Sequence, residues 1–215
     1  MRVILFDLDG TLIDSTEAIL DGFRYTFNEF NKEYPGDKEV KKLIGLPLDI
    51  MFNKLGIYEN VWDYVDTYKK RYRIISKEKT KLLPFTKEAV IKANKFARLG
   101  IVTTKTALYS RELLEYFEIM HYFEVLIGRE DVENPKPHPE PILKAIHLMH
   151  VNKEATFMIG DTCLDMVSAK EAGVKYIGVK FEYENEKNLK NCAKIIKNNA
   201  LEAVEYIKTF SKNPC

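Results

Sequence analysis

Short continuous apolar runs alternate along the chain with stretches in which apolar residues recur every three or four positions. The runs are Val3-Ile4-Leu5-Phe6, Gly100-Ile101-Val102, Phe123-Glu124-Val125-Leu126-Ile127, Thr156-Phe157-Met158-Ile159 and Tyr176-Ile177-Gly178-Val179. Runs this short and this rich in β-formers predict strands buried on both faces. The helical spacing predicts helices over 88–99, 108–117, 141–149 and 166–172. Lys194-Ile195-Ile196, followed by a periodic stretch over 200–210, adds a last strand and helix. Strands that alternate with helices pair in parallel through right-handed crossovers. The expected fold class is therefore α/β, a doubly wound parallel sheet with a Rossmann-like core.

One segment departs from the alternation. Residues 15–83 contain no buried-strand pattern, only amphipathic spacing, with Leu20, Phe23, Tyr25, Phe27 and Phe30 on a first helix. Val61, Trp62, Tyr64, Val65, Tyr68 and Tyr72 stud a later one. Pro35-Gly36-Asp37 and Gly45-Leu46-Pro47 punctuate the segment and Pro84 closes it. About 70 residues are too many for a single crossover. The expected organisation is a catalytic core of residues 1–14 and 84–215, with 15–83 inserted as an α-helical cap domain.

Composition narrows the function classes without naming one. The chain of 215 residues carries 33 Lys+Arg against 32 Asp+Glu, a formal net charge of +1, so no overall basic field points to nucleic acid. No apolar run approaches the roughly 18 residues of a membrane span. Met1 to Phe6 is too short for a signal peptide, and Asp7 and Asp9 interrupt it. Cys163, Cys192 and Cys215 are odd in number and form no C-x-x-C pair, which disfavours a disulfide framework or a zinc site. The expected setting is a reducing cytoplasm.

The chemistry starts directly after the first strand, in Asp7-Leu8-Asp9-Gly10-Thr11-Leu12-Ile13-Asp14-Ser15. Extended geometry through residue 9 would put both carboxylates on one side, and Gly10 would permit a tight turn against a ligand. Adjacent carboxylates repel, so a cation or a shared proton must compensate. Asp7, Thr103 and Asp161 each follow an apolar strand candidate, which places them at the same carboxyl edge of a parallel sheet, where such folds bind ligands. Asp7, Asp9, Asp161 and Asp165 then gather as hard oxygen ligands suited to Mg²⁺.

With Gly100-Ile101-Val102-Thr103-Thr104-Lys105, Asn134-Pro135-Lys136-Pro137-His138-Pro139 and Gly160-Asp161-Thr162-Cys163-Leu164-Asp165 following in order, the sequence resembles the haloacid dehalogenase superfamily of phosphotransferases. The resemblance implies that Asp7 is the nucleophile, forming an aspartyl-phosphate, and Asp9 the general acid and base. It implies that Asp7, the Asp9 carbonyl and Asp161 hold Mg²⁺, with Asp165 supporting the metal shell. Thr103 would bind the phosphoryl group with backbone N–H groups near Asp9, Gly10 and Thr104, and Lys136 would offset the charge of Asp7 and phosphate.

Asp9 favours phosphoryl transfer over the family's carbon–halogen chemistry. The helical insert resembles the small caps of phosphoglycolate phosphatases, related pyrophosphatases and β-phosphoglucomutase. Leu46, Pro47 and Leu48 after Gly45 offer no cation for a second sugar phosphate, and neither Lys41 nor Lys42 can be assigned as the Schiff-base lysine of phosphonate hydrolases. The expected activity is a Mg²⁺-dependent phosphatase acting on a small phosphorylated metabolite resembling phosphoglycolate, with pyrophosphatase, nucleotidase or phosphomutase as alternatives. No nucleic acid or membrane partner is expected. Tyr68-Lys69-Lys70-Arg71-Tyr72-Arg73 reads as a solvated face beside a tyrosine seam, His147 and His150 as an exposed pair, and His138 as a loop-shaping residue or a substrate contact. The Cys163 side chain should point away from the metal.

Overall fold

The structure is a computed structural model describing residues 1–181 and 186–210. The chain divides into two compact units, one of Met1–Ile13 with Leu82–Cys215 and one of Asp14–Lys81.

In the first unit, β1 (Arg2–Phe6) lies inside a six-stranded sheet. A short β2 (Ile13–Asp14) follows it, and the helices α1 to α4 belong to the second unit. The chain returns through β3 (Lys81–Leu82), which forms a two-stranded sheet with β2. The order continues with α5 (Thr86–Asn94), β4 (Ala97–Val102), α6 (Ala107–Tyr116), β5 (Phe123–Ile127) and α7 (Glu140–Met149). Then come β6 (Thr156–Gly160), α8 (Cys163–Ala172), β7 (Lys175–Val179), α9 (Glu186–Cys192), β8 (Ile196–Lys197) and α10 (Ala200–Thr209). The large sheet runs β5-β4-β1-β6-β7-β8 with parallel pairing throughout.

Alternation along β1 explains the three layers. Ile4 and Phe6 join a core with Leu99, Ile101, Phe157 and Ile159 under α5, α6 and α10. Val3 and Leu5 point the other way, into a core with Met158 and residues of α7 and α8. Both faces of the sheet are covered, so its central strands β1 and β6 read as unbroken apolar runs.

Two sequence expectations change here. The helix expected over 88–99 ends at Asn94, and Leu99 belongs to β4. Ala97 and Leu99 satisfy either period, and pairing of Ala97 through Ile101 with β1 decides for the strand. Cys163 and Cys192 form a disulfide, with Cα atoms 5.7 Å apart across 29 residues of sequence. The first residue of α8 and the last of α9 meet in space, which spacing along the chain could not reveal. The cysteine argument for a reducing compartment therefore falls; Cys215 lies outside the described residues. No helix among the described residues is long and apolar enough to cross a membrane.

The second unit is helical: α1 (Thr16–Glu29), α2 (Asp37–Lys41), α3 (Leu48–Lys54) and α4 (Val61–Lys79). Phe23, Phe27, Phe52, Tyr64 and Tyr68 fill its centre, with Phe23 4.7 Å from Phe52 and 5.0 Å from Tyr68 between ring centroids. Tyr68 and Tyr72 stack one turn apart as the buried seam, while Arg71 bonds Asp21 at 2.7 Å. Trp62 lies outside the apolar stripe, 60% exposed.

Candidate active site

Asp7, Thr103 and Asp161 lie just past the carboxyl ends of β1, β4 and β6, and Lys136 is drawn there by its long side chain. β1 ends at Phe6, and the Asp7 N–H is held by the Ile159 carbonyl of β6 at 2.9 Å. The chain bends at Leu8, and Asp9 bridges to Ile13. It folds back so that the Leu8 carbonyl accepts from the N–H groups of Leu12 at 2.9 Å and Ile13 at 3.1 Å. Asp7 is therefore held at the end of the strand pairing, and Asp9 stands where the tight loop begins. Gly10 sits in the loop at φ +78°, where a Cβ would come 2.2 Å from Asp161 Oδ2. Only glycine fits both that backbone and that approach.

Asp161 follows β6 and opens the turn into α8. Thr11 Oγ1 donates to its Oδ1 at 3.0 Å, while its buried Oδ2 has no hydrogen-bond partner among the described residues. Asp165, three positions into α8, accepts from Thr162 N–H at 3.1 Å and from Thr162 Oγ1 at 2.7 Å, closing the helix N-terminus. Its other oxygen accepts from Lys136.

Lys136 is 3% exposed and donates three hydrogen bonds: 2.7 Å to Asp7 Oδ1, 2.5 Å to Asp165 Oδ1 and 3.0 Å to the Val102 carbonyl at the end of β4. An ammonium has three protons, so all are used. Thr103 is buried beside this point, its N–H bonded to the Ile127 carbonyl at 2.9 Å and its Oγ1 accepting from Lys105 N–H at 3.2 Å. Thr104 follows it, half-buried.

The electrostatics follow from burial. Loss of water pushes the Asp7 carboxyl up to about 7; Lys136 opposes the rise, and Asp165 and Asp9 add to it. Asp161 is held well above the carboxylate range by burial first and then by Asp7 and Asp165. Burial works against the charge on Lys136, yet Asp165 and Asp7 together keep its pKa above the ordinary lysine range.

Asp7, Asp161 and Asp165 offer oxygens within 4.8 Å of one another, a spacing that can hold a metal ion. The orphaned Asp161 Oδ2 and three carboxylates against one ammonium fit a hard divalent cation. The Asp9 carboxylate is not part of this trio; it pairs with Lys105 at 3.1 Å. Sequence reasoning gave no role to Thr11 or Lys105, though both flank residues it singled out. His138 shapes the loop: its carbonyl accepts from Ser168 Oγ at 2.8 Å and its Nδ1 from Glu140 N–H at 3.2 Å. His147 and His150 are exposed.

The profile of the haloacid dehalogenase-like hydrolases matches residues 4–179. The chain is 35% identical over 187 residues to a pyrophosphatase PpaX of Halalkalibacterium halodurans, covering 86% of each chain. It is 32% identical over 178 residues to a phosphoglycolate phosphatase of Aquifex aeolicus, covering 81% of this chain and 83% of the relative. A solved haloacid dehalogenase-like hydrolase from Streptococcus pneumoniae superposes with a TM-score of 0.86 at 28% identity, over 96% of this chain and 98% of that one.

Proposed function

Since the chain belongs to the haloacid dehalogenase-like hydrolase family, we propose that it is a Mg²⁺-dependent phosphatase of small phosphate monoesters, working through an aspartyl-phosphate on Asp7. The observation that carries this reading is the buried Asp7–Lys136–Asp165 network beside the unpaired Asp161 Oδ2.

Asp7 attacks phosphorus as the bond to the leaving oxygen breaks, and Asp9 supplies the proton that oxygen needs. Asp9 then takes a proton from the water that hydrolyses the aspartyl-phosphate. Lys136 limits repulsion between Asp7 and the incoming phosphate, and Thr103 with N–H groups near Gly10 and Thr104 orients the phosphoryl oxygens. Asp7 and Asp161, with the Asp9 carbonyl, would hold the Mg²⁺, which when bound supplies positive charge to the phosphoryl oxygens. Asp165 keeps Lys136 and the turn after β6 in place. The helical residues 15–83 act as a cap that selects the substrate, a role supported by likeness to capped members of the family.

Pyrophosphate hydrolysis is the second reading, favoured by the 35% identity to a pyrophosphatase. A panel of phosphoglycolate, other monoesters and pyrophosphate, assayed with Mg²⁺ and with excess EDTA, separates the two. Turnover that survives EDTA would remove the metal, and substantial turnover by Asp7→Asn would remove Asp7 as nucleophile.

A further inference from the structure

Lys105 enters the same edge of the sheet as the residues above and has no part in the steps just given. Its backbone is pinned on two sides: its N–H donates to Thr103 Oγ1 at 3.2 Å, and its carbonyl accepts from the Arg129 N–H at 3.0 Å. From that anchor Nζ reaches Asp9 Oδ2 at 3.1 Å, with the two side chains only 10% and 14% exposed. An ion pair this sheltered differs from the surface kind, which solvent and side-chain entropy reduce to little. Lys136 cannot take its place, because its three protons already meet Asp7, Asp165 and Val102. The two lysines thus divide the work, Lys136 for the nucleophile and Lys105 for Asp9.

Resting on the phosphatase reading above, we propose that Lys105 is the positioning residue of the acid–base step. It grips one oxygen of Asp9, fixes the rotation of the carboxyl group, and aims the other oxygen at the leaving group. As the Asp7–phosphorus bond forms, the electron pair of the breaking P–O bond goes to the leaving oxygen, which receives the Asp9 proton. The carboxylate left on Asp9 after the transfer is the form paired with Lys105 in this structure, held ready to take a proton from the attacking water.

The test uses the full chain with Mg²⁺ and a series of aryl and alkyl phosphates with graded leaving-group basicity. A p-nitrophenolate departs without a proton, whereas an alkoxide needs one. Lys105→Met is expected to lower kcat/KM for the alkyl esters ~10- to 100-fold, at least ten times more than for p-nitrophenyl phosphate. Lys105→Arg should recover part of that loss. Equal losses across the series would overturn the proposal whatever the unfolding midpoint of the variant. It would also be overturned by a rise in KM confined to substrates whose leaving group is anionic, such as pyrophosphate, since Lys105 would then be a substrate-binding cation. If the wild-type protein hydrolyses no member of the series, the phosphatase reading itself fails and the role of Lys105 falls with it.

Discussion

Asp7 and Lys136 stand 129 residues apart in the chain and meet at 2.7 Å, both nearly closed to solvent. Replacing Lys136 by Met leaves Asp7, Asp161 and Asp165 facing one another without their ammonium. Removing one partner of such a buried pair costs about 3–5 kcal/mol. Urea unfolding of Lys136→Met in EDTA should show a loss of that size, and Mg²⁺ should restore part of it. An unchanged midpoint would mean that the pair contributes nothing to the fold.

The raised Asp7 carboxyl gives a stability slope with a definite sign. Its pKa moves from 3.8 to about 7 on folding, so between those values the folded protein holds a proton that the unfolded chain has lost. Stability therefore falls as pH rises through this window, by at most about 1.4 kcal/mol per unit from this group. The window lies above the range in which carboxyls with lowered values, such as Asp21 and Asp37, lose their contribution. Metal-free wild type and Asp7→Asn, compared by chemical denaturation from pH 4.5 to 7, should differ by this downward slope. A flat difference would contradict the burial argument.

Metal binding should carry the same signature. On the proposed reading Mg²⁺ binding at Asp7 would displace its proton, so the affinity should rise with pH up to about 7, up to about tenfold per unit for one proton displaced. Calorimetry in buffers of different ionisation enthalpy would count the protons released. Zero released near pH 6 would show that Asp7 is already ionised in the metal-free protein.

Gly10→Ala should damage the site more than the fold. The new methyl group would overlap Asp161 Oδ2, and the residue would be held at φ +78°. The backbone strain costs about 1–3 kcal/mol, while displacement of Asp161 should lower kcat by at least about tenfold. Turnover near the wild-type level would show that the approach of Gly10 to Asp161 has no role.

Gly22→Ala should reverse the usual helix rule. In an exposed helix the change stabilises by roughly 1 kcal/mol. Here the added Cβ would lie 2.5 Å from the Tyr68 ring, inside the packed contact of α1 with α4. Overpacking of this kind costs about 1–3 kcal/mol, so thermal unfolding should show no gain and a net loss of up to about 2 kcal/mol.

Local pattern carried much of the fold. Val3 to Phe6 and Phe157 to Ile159 are strands buried by helices on both faces, and that demand writes an unbroken apolar run into the sequence. The start of β4 was illegible because Ala97 and Leu99 fit both periods until β1 pairs with them. The candidate site was legible where a residue follows a strand directly, as Asp7, Thr103 and Asp161 do. Long-range partnerships were not legible. Nothing local in Lys105 names Asp9 as its partner, nothing in Thr11 names Asp161, and Cys163 carries no mark of Cys192. Each is a product of the assembled layers.

The interior position of β1 has a consequence for synthesis. Asp7 is joined well before Lys136, Asp161 and Asp165, and β6, which holds the Asp7 N–H, follows Lys136. A growing chain therefore carries Asp7 and Asp9 without the Lys136 ammonium until 129 residues beyond Asp7 have been added. Copies broken off before Lys136 lack the ammonium and two of the three clustered carboxylates, so no such fragment can assemble the Asp7–Lys136–Asp165 network.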